Sequence, residues 1–115
     1  MTSVGKSGIQ HPRVVDLVTH EADGGFALVL VESAKLVQGN ALELQEKLNN
    51  YLSFVLDGQL TRDYPAAIGA PVRIRVDLYA QPDDFILEFF RRFRAIALRD
   101  AVDVDLSINQ KDVAL

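Results

Sequence analysis

The segment from Val72 to Asn109 constrains the fold more than any other part of the chain. It opens with VRIRVDLY, in which Val72, Ile74, Val76 and Leu78 alternate with Arg73, Arg75, Asp77 and Tyr79, the period of a strand with one buried and one wet face. It closes with VDVDLSIN, where Val102, Val104, Leu106 and Ile108 alternate with Asp103, Asp105, Ser107 and Asn109. Between them QPDDFILEFFRRFRAIALRD has helical spacing. Pro82 suits a first turn, Asp83 and Asp84 the positive N-terminal end, and Arg91, Arg92, Arg94 and Arg99 lie toward the negative end. The expected core arc of this helix is Phe85, Ile86, Phe89, Phe90, Phe93 and Ile96. A strand, a crossover helix and a second strand of one sheet pair in parallel with a right-handed connection. Arg73 and Arg75 then stand beside Asp103 and Asp105 on the wet face, where opposite charges attract across the ladder.

The first half of the chain supplies a second unit of the same kind. VVDLVTH (Val14 to His20) is expected as a strand, EADGG as a tight turn, and FALVLVE (Phe26 to Glu32) as the returning strand. Phe26, Leu28 and Leu30 alternate with Ala27, Val29 and Val31, so the returning strand is apolar on both faces, which suits a place inside the sheet. LQEKLNNYLSFVLDGQL, Leu44 to Leu60, follows as a helix whose stripe is Ala41, Leu44, Leu48, Tyr51, Leu52 and Val55. On that stripe Asn50 falls opposite the core and Asn49 on the flank. Gly58 loosens the helix end, and YPAAIGAP is a loop pinned by two prolines.

The order β-β-α-β-α-β predicts an α/β (α+β) two-layer sandwich, a four-stranded mixed sheet with two helices on one face and the other face open. The expected boundaries are a flexible N-terminal arm over 1–13, a single domain over 14–109 and a short C-terminal tail over 110–115.

Composition matters here mainly for what it excludes. With 115 residues, of which 49% are hydrophobic, one two-layer core is the natural solution. A formal net charge of −4 argues against nucleic acid or an anionic membrane as partner. The absence of cysteine removes disulfides, thiolate metal sites and thiol nucleophiles. MTSVGKSGIQHPR has no apolar core and no later run is long enough to span a bilayer, so a cytoplasmic chain is expected.

No motif carries catalysis. GKS at Gly5 to Ser7 has neither the earlier glycine nor the strand that a phosphate loop requires. His11 and His20 lack metal-ligand spacing, and Ser3, Ser7, Ser33, Ser53 and Ser107 lack a nucleophile-elbow setting. Asp103 and Asp105 face arginines rather than a third ligand, so no metal, no cofactor and no catalytic residue is assigned. In RRFRAIALR, Phe93 belongs to the core arc and Glu88 pairs with Arg91 or Arg92, which turns the basic cluster into a solvated helix face rather than a nucleic-acid site.

The run LQEKLNNYLSFVLDGQL, with DYP and PVRIRV after it, resembles a family of small bacterial proteins known only as a domain of unknown function. With VVDLVTH, LVLVE and the closing helix and strand, the resemblance extends over most of Val14 to Ile108, and Leu-Gln-Glu-Lys-Leu-Asn is its most specific part. It implies a compact α/β domain in a bacterial cytosol and transfers no activity. The function expected from the residues is a non-enzymatic protein-interaction module, a homodimer or a partner of another protein. Its expected surface is Arg73, Arg75, Tyr79, Asp103 and Asp105 on the open face, with Phe54, Leu87 and Leu98 on outer helix faces. The alternative is a small-ligand binder or small enzyme with a site beyond Leu30, Leu78 and Ile108, at the ends of the parallel strands.

Overall fold

The structure is a computed structural model that describes residues 8–115. Its sheet has five strands: β1 (Leu17–His20), β2 (Phe26–Glu32), β3 (Val72–Leu78), β4 (Val102–Ile108) and β5 (Lys111–Val113). Their order in space is their order in the chain, with β2, β3 and β4 parallel and β1 and β5 antiparallel at the two edges. Three helices connect them: α1 (Ala41–Leu56), α2 (Gln59–Asp63) and α3 (Asp84–Leu98). The α+β class and the mixed sheet follow the sequence reading, but the expected four strands become five. Residues 111–113 are too short to show alternation; they are recruited by a two-residue turn at Asn109 and Gln110, whose φ values of 51° and 68° give the twist that such a hairpin needs.

One face of the sheet carries Phe26, Leu28 and Leu30, Ile74, Val76 and Leu78, and Val102, Val104, Leu106 and Ile108, all buried in one cluster with α1 and α3. β2 is inside the sheet, as its double apolar pattern requires. The turn before it is set by Asp23, whose Oδ1 accepts the Gly25 N–H at 2.9 Å, and by Gly24 at φ 91°. Asp83, expected only as a charge suited to the positive end of the helix, caps α3 by accepting the Ile86 N–H at 2.9 Å.

Both helices are rotated from their expected orientation. In α3 the buried line is Ile86, Phe90, Phe93 and Ala97, so Phe85 and Ile96 stand half out in solvent and Phe89 lies on the flank. Leu87, expected outside, packs against the core. In α1 the buried line is Leu44, Lys47, Leu48 and Tyr51. The inclusion of Lys47 swings the stripe, so that Asn49 is exposed and Asn50 half-buried, the reverse of expectation, and Phe54 packs inward. The helix ends at Gly58, whose φ of 83° breaks it before α2.

The stretch through residue 13, expected as a flexible arm, is docked from Gly8 onward with Ile9 in the core; residues 1–7, including the GKS stretch, lie outside the described residues. Three buried polar side chains hold it. Lys47 donates to the carbonyls of His11 (3.0 Å) and Val14 (2.8 Å) and to Asp16 Oδ1 (2.5 Å). Asp16 Oδ2 accepts the N–H of Gly8 and of Val31, and Glu32 accepts the N–H of Ile9 and of Ala34. Val31 lies beyond the last residue that β1 pairs, so Asp16 satisfies an edge N–H that no strand reaches.

Candidate functional site

The face of the sheet away from α1 and α3 is built from the alternate residues of the same strands. By register Arg73 is opposite Asp103, Arg75 opposite Asp105 and Asp77 opposite Ser107, so the sequence-predicted charges are brought together on neighbouring strands. The ion pairs slip by one step from that register. Arg73 donates to Asp105 and to Glu21 from the turn after β1, where Nε meets Oε1 at 2.9 Å. Arg75 pairs with Asp77 at 3.2 Å along its own strand. Asp103 is taken by Arg94, which reaches from α3 to the edge of β4 with Nε 2.9 Å from Oδ1. The Glu21 carboxylate, with Asp105 beside it, holds the Arg73 guanidinium pKa above its ordinary value.

The small apolar residues of this face are not open. Ala27 and Val29 are buried, 0% and 1% exposed, so neither adds apolar surface to this face. Tyr79, immediately after β3, is 48% exposed. A groove of about 870 Å³ runs over β3, β4 and β5, lined among others by Arg73, Arg75, Arg94, Asp105, Ser107 and Tyr79. Gln110 and Asp112 close its far side. Arg73, Arg75 and Arg94 thus stand on β3 and α3 and Asp105 and Asp112 on β4 and β5, with Asp77 of β3 beside Arg75.

Of the other residues assigned to an interaction surface, Leu98 is exposed, whereas Phe54 and Leu87 are partly buried and pack against the core. The helix layer exposes Leu42, Phe85 and Ile96 instead. Glu21, Arg94 and Asp112 were missed by sequence reasoning. Arg94 had a signal, since it falls between the core arc and the solvent face of its helix, on the side of Leu87. Glu21 and Asp112 had none, being placed by turns. Among the described residues no three His, Cys, Asp or Glu side chains gather as metal ligands, and no helix is long and apolar enough to cross a membrane.

The chain belongs to a family of unknown function (DUF6572), whose model matches residues 7–110. No curated protein and no solved structure matches it.

Proposed function

We propose that this member of an uncharacterised family is a non-enzymatic protein-interaction module that self-associates through the open face of its sheet. The observation that carries this reading is the placing of opposite charges along the groove, where Arg73, Arg75 and Arg94 face Asp105 and Asp112 and only Asp77 breaks the basic side, all in a groove open to solvent. A two-fold axis over such a face matches each column with its opposite, since an isologous interface is self-complementary. The half-exposed Tyr79 adds an amphipathic contact of the kind enriched in interfaces. The exposed Leu98 belongs to α3 and lies outside the face proposed for self-association. The setting we propose with it is a bacterial cytoplasm, in keeping with the acidic, cysteine-free composition.

Sedimentation equilibrium tests it. A dimer mass at micromolar protein is expected to fall toward the monomer in about 1 M salt, where screening shortens to ~3 Å. Arg75→Asp is expected to give a monomer at low salt as well. A monomer mass for the unaltered chain at every concentration overturns the reading.

One observation favours a second reading. The groove reaches Tyr79, Ser107 and Gln110, at or just past the carboxyl ends of β3 and β4, where open parallel sheets commonly receive small ligands. A polar small molecule that raises the melting temperature of the unaltered chain, and fails to do so for Tyr79→Ala, would favour this reading over self-association.

A further inference from the structure

We propose that the outer edge of β1 is a self-pairing edge, on which a second copy of the chain lays its own β1 antiparallel about a two-fold axis at Thr19. The edge lies apart from the open face, and the proposal stands independently of association through that face.

The hairpin sets which groups this edge offers. The Glu21 N–H donates to the Gly25 carbonyl at 2.7 Å, and the same register sets Thr19 against Ala27 and Leu17 against Val29. By alternation these odd-numbered residues turn their N–H and C=O groups toward β2, whereas Val18 and His20 turn theirs outward. Hydrogen bonds across β2 agree: the Val31 N–H points to the β1 side, at Asp16 Oδ2, and the Phe26 N–H to the β3 side, at the Pro71 carbonyl. β1 ends the sheet, so among the described residues no strand pairs with the outer side of Val18 and His20. Val18 is only partly buried and His20 is exposed. The strand, LVTH, carries neither the lysine nor the proline that commonly blunts an edge.

The limits of the edge fix the register. The outward-turned residue before Val18 is Asp16, whose N–H is already taken by the Tyr51 hydroxyl at 2.8 Å. The one after His20 is Ala22, which lies beyond the strand in the turn. A second copy therefore uses the whole edge only when Val18 of each copy faces His20 of the other. Each of those facing pairs exchanges both of its backbone hydrogen bonds, and the axis falls at Thr19. A register centred on Val18 would set His20 against Asp16, whose N–H is spent, and one centred on His20 would run Val18 into the turn.

Thr19 supplies a second observation at the same point. Its Oγ1 is the one buried side-chain polar atom among the described residues that has no hydrogen-bond partner. On the axis Thr19 meets its own copy as a non-hydrogen-bonded pair, the closest kind, with Cα atoms about 4.5 Å apart. Opposed threonines on one face hydrogen-bond to each other. A turn of χ1 between staggered positions, which exchanges hydroxyl and methyl, brings Oγ1 to that contact. Leu17, 47% exposed on the same face, stands diagonal to the second Thr19 and is drawn out of water by it. Backbone bonds supply the affinity of such pairing, as in other cases of strand addition, and no charge is needed.

The test uses the full chain in about 1 M salt, where screening shortens to ~3 Å and association through the charged face is suppressed. Sedimentation equilibrium is expected to show the mass rising toward the dimer as protein approaches about 1 mM. Amide exchange at Val18 and His20 is expected to slow about twofold at the midpoint, where half of the edges are paired, with Ala22 unchanged. Val18→Pro and His20→Pro each remove an outward N–H without breaking the ladder to β2, and each is expected to stay monomeric. His20 is the exposed position, so its variant keeps the test open if Val18→Pro fails to fold. A dimer that salt dissolves completely would overturn the edge pairing and leave association through the open face standing. Unslowed exchange at Val18 and His20, slowing confined to β3, β4 and β5, or undiminished association of a folded proline variant would each overturn it as well.

Discussion

Lys47 Nζ lies 2.5 Å from Asp16 Oδ1, with the two side chains 0% and 2% exposed, so a charged pair is sealed between α1 and the segment that precedes β1. Taking two charges out of water is costly, and the pair persists because every hydrogen of the ammonium is used and the second carboxylate oxygen accepts two backbone N–H groups. Lys47→Ala leaves Asp16 charged, buried and without its cation. It is expected to lower unfolding free energy by about 3–5 kcal/mol, as measured by urea denaturation. The double variant Lys47→Met with Asp16→Asn is expected to lose less than Lys47→Ala alone. An unchanged midpoint for Lys47→Ala would show that the segment over 8–16 does not depend on the pair.

Tyr51 gives the fold an alkaline limit. Its hydroxyl donates to the Val29 carbonyl and accepts the Asp16 N–H, both at 2.8 Å. Burial, reinforced by the Asp16 charge although opposed by the Asp16 N–H bond, pushes the phenol well above its ordinary value of 10.0. The unfolded chain therefore releases this proton first. The contribution is complete below about pH 10 and is lost as pH rises from there toward the folded value. Tyr51→Phe is expected to cost about 1–3 kcal/mol at neutral pH, because it leaves a buried N–H and a buried carbonyl without partners. Its melting temperature should also fall less steeply between about pH 9 and 11 than that of the unaltered chain.

The rotation of α3 separates its phenylalanines. Phe90 is fully buried, and Phe90→Ala is expected to cost about 3–5 kcal/mol through the cavity it leaves. Phe85→Ala, at a half-exposed position, is expected to change stability by no more than about 1 kcal/mol. Equal losses in chemical denaturation would mean that the helix sits at a different angle.

Arg73 meets two carboxylates yet remains 40% exposed, and solvent screens what they contribute. Arg73→Ala is expected to lower stability by at most about 1 kcal/mol in the monomer, with the difference shrinking in salt. A larger loss at dimer-forming concentrations, absent on dilution, would show a partner subunit covering the pair.

Ala101 has φ 60° at the turn between α3 and β4, a conformation that costs a residue bearing a Cβ. Gly58 occupies the equivalent left-handed position after α1. Ala101→Gly is expected to raise the melting temperature, by a gain of roughly 0.5–1 kcal/mol offset in part by unfolded-state freedom. A lower melting temperature would count against the left-handed turn.

What the sequence made legible was whatever repeats with a period. The alternation of Val72–Leu78 and Val102–Ile108 located two strands, their parallel pairing and the meeting of Arg73 and Arg75 with Asp103 and Asp105. Period fails where a residue contradicts its type. Lys47 counts as surface on any polarity scale, and leaving it out of the α1 stripe displaced the stripe and exchanged the environments of Asn49 and Asn50. The leucines and phenylalanines of α3 surround so much of the helix that its apolar residues admit more than one facing, and only packing chose Ala97 over Ile96. Asp16, Glu32 and Glu21 act over 15 to 52 positions of separation, which no local pattern records.

The agreement between strand order in space and strand order in the chain has a consequence for how the molecule is made. Each strand finds its neighbour already laid down, and none has to be threaded between two that came earlier. A polypeptide leaving the ribosome amino end first can therefore extend the sheet one edge at a time, the newest strand always outermost. β5, the outermost strand on that side, is three residues long, and so short a rim offers little backbone for another copy to continue the pattern.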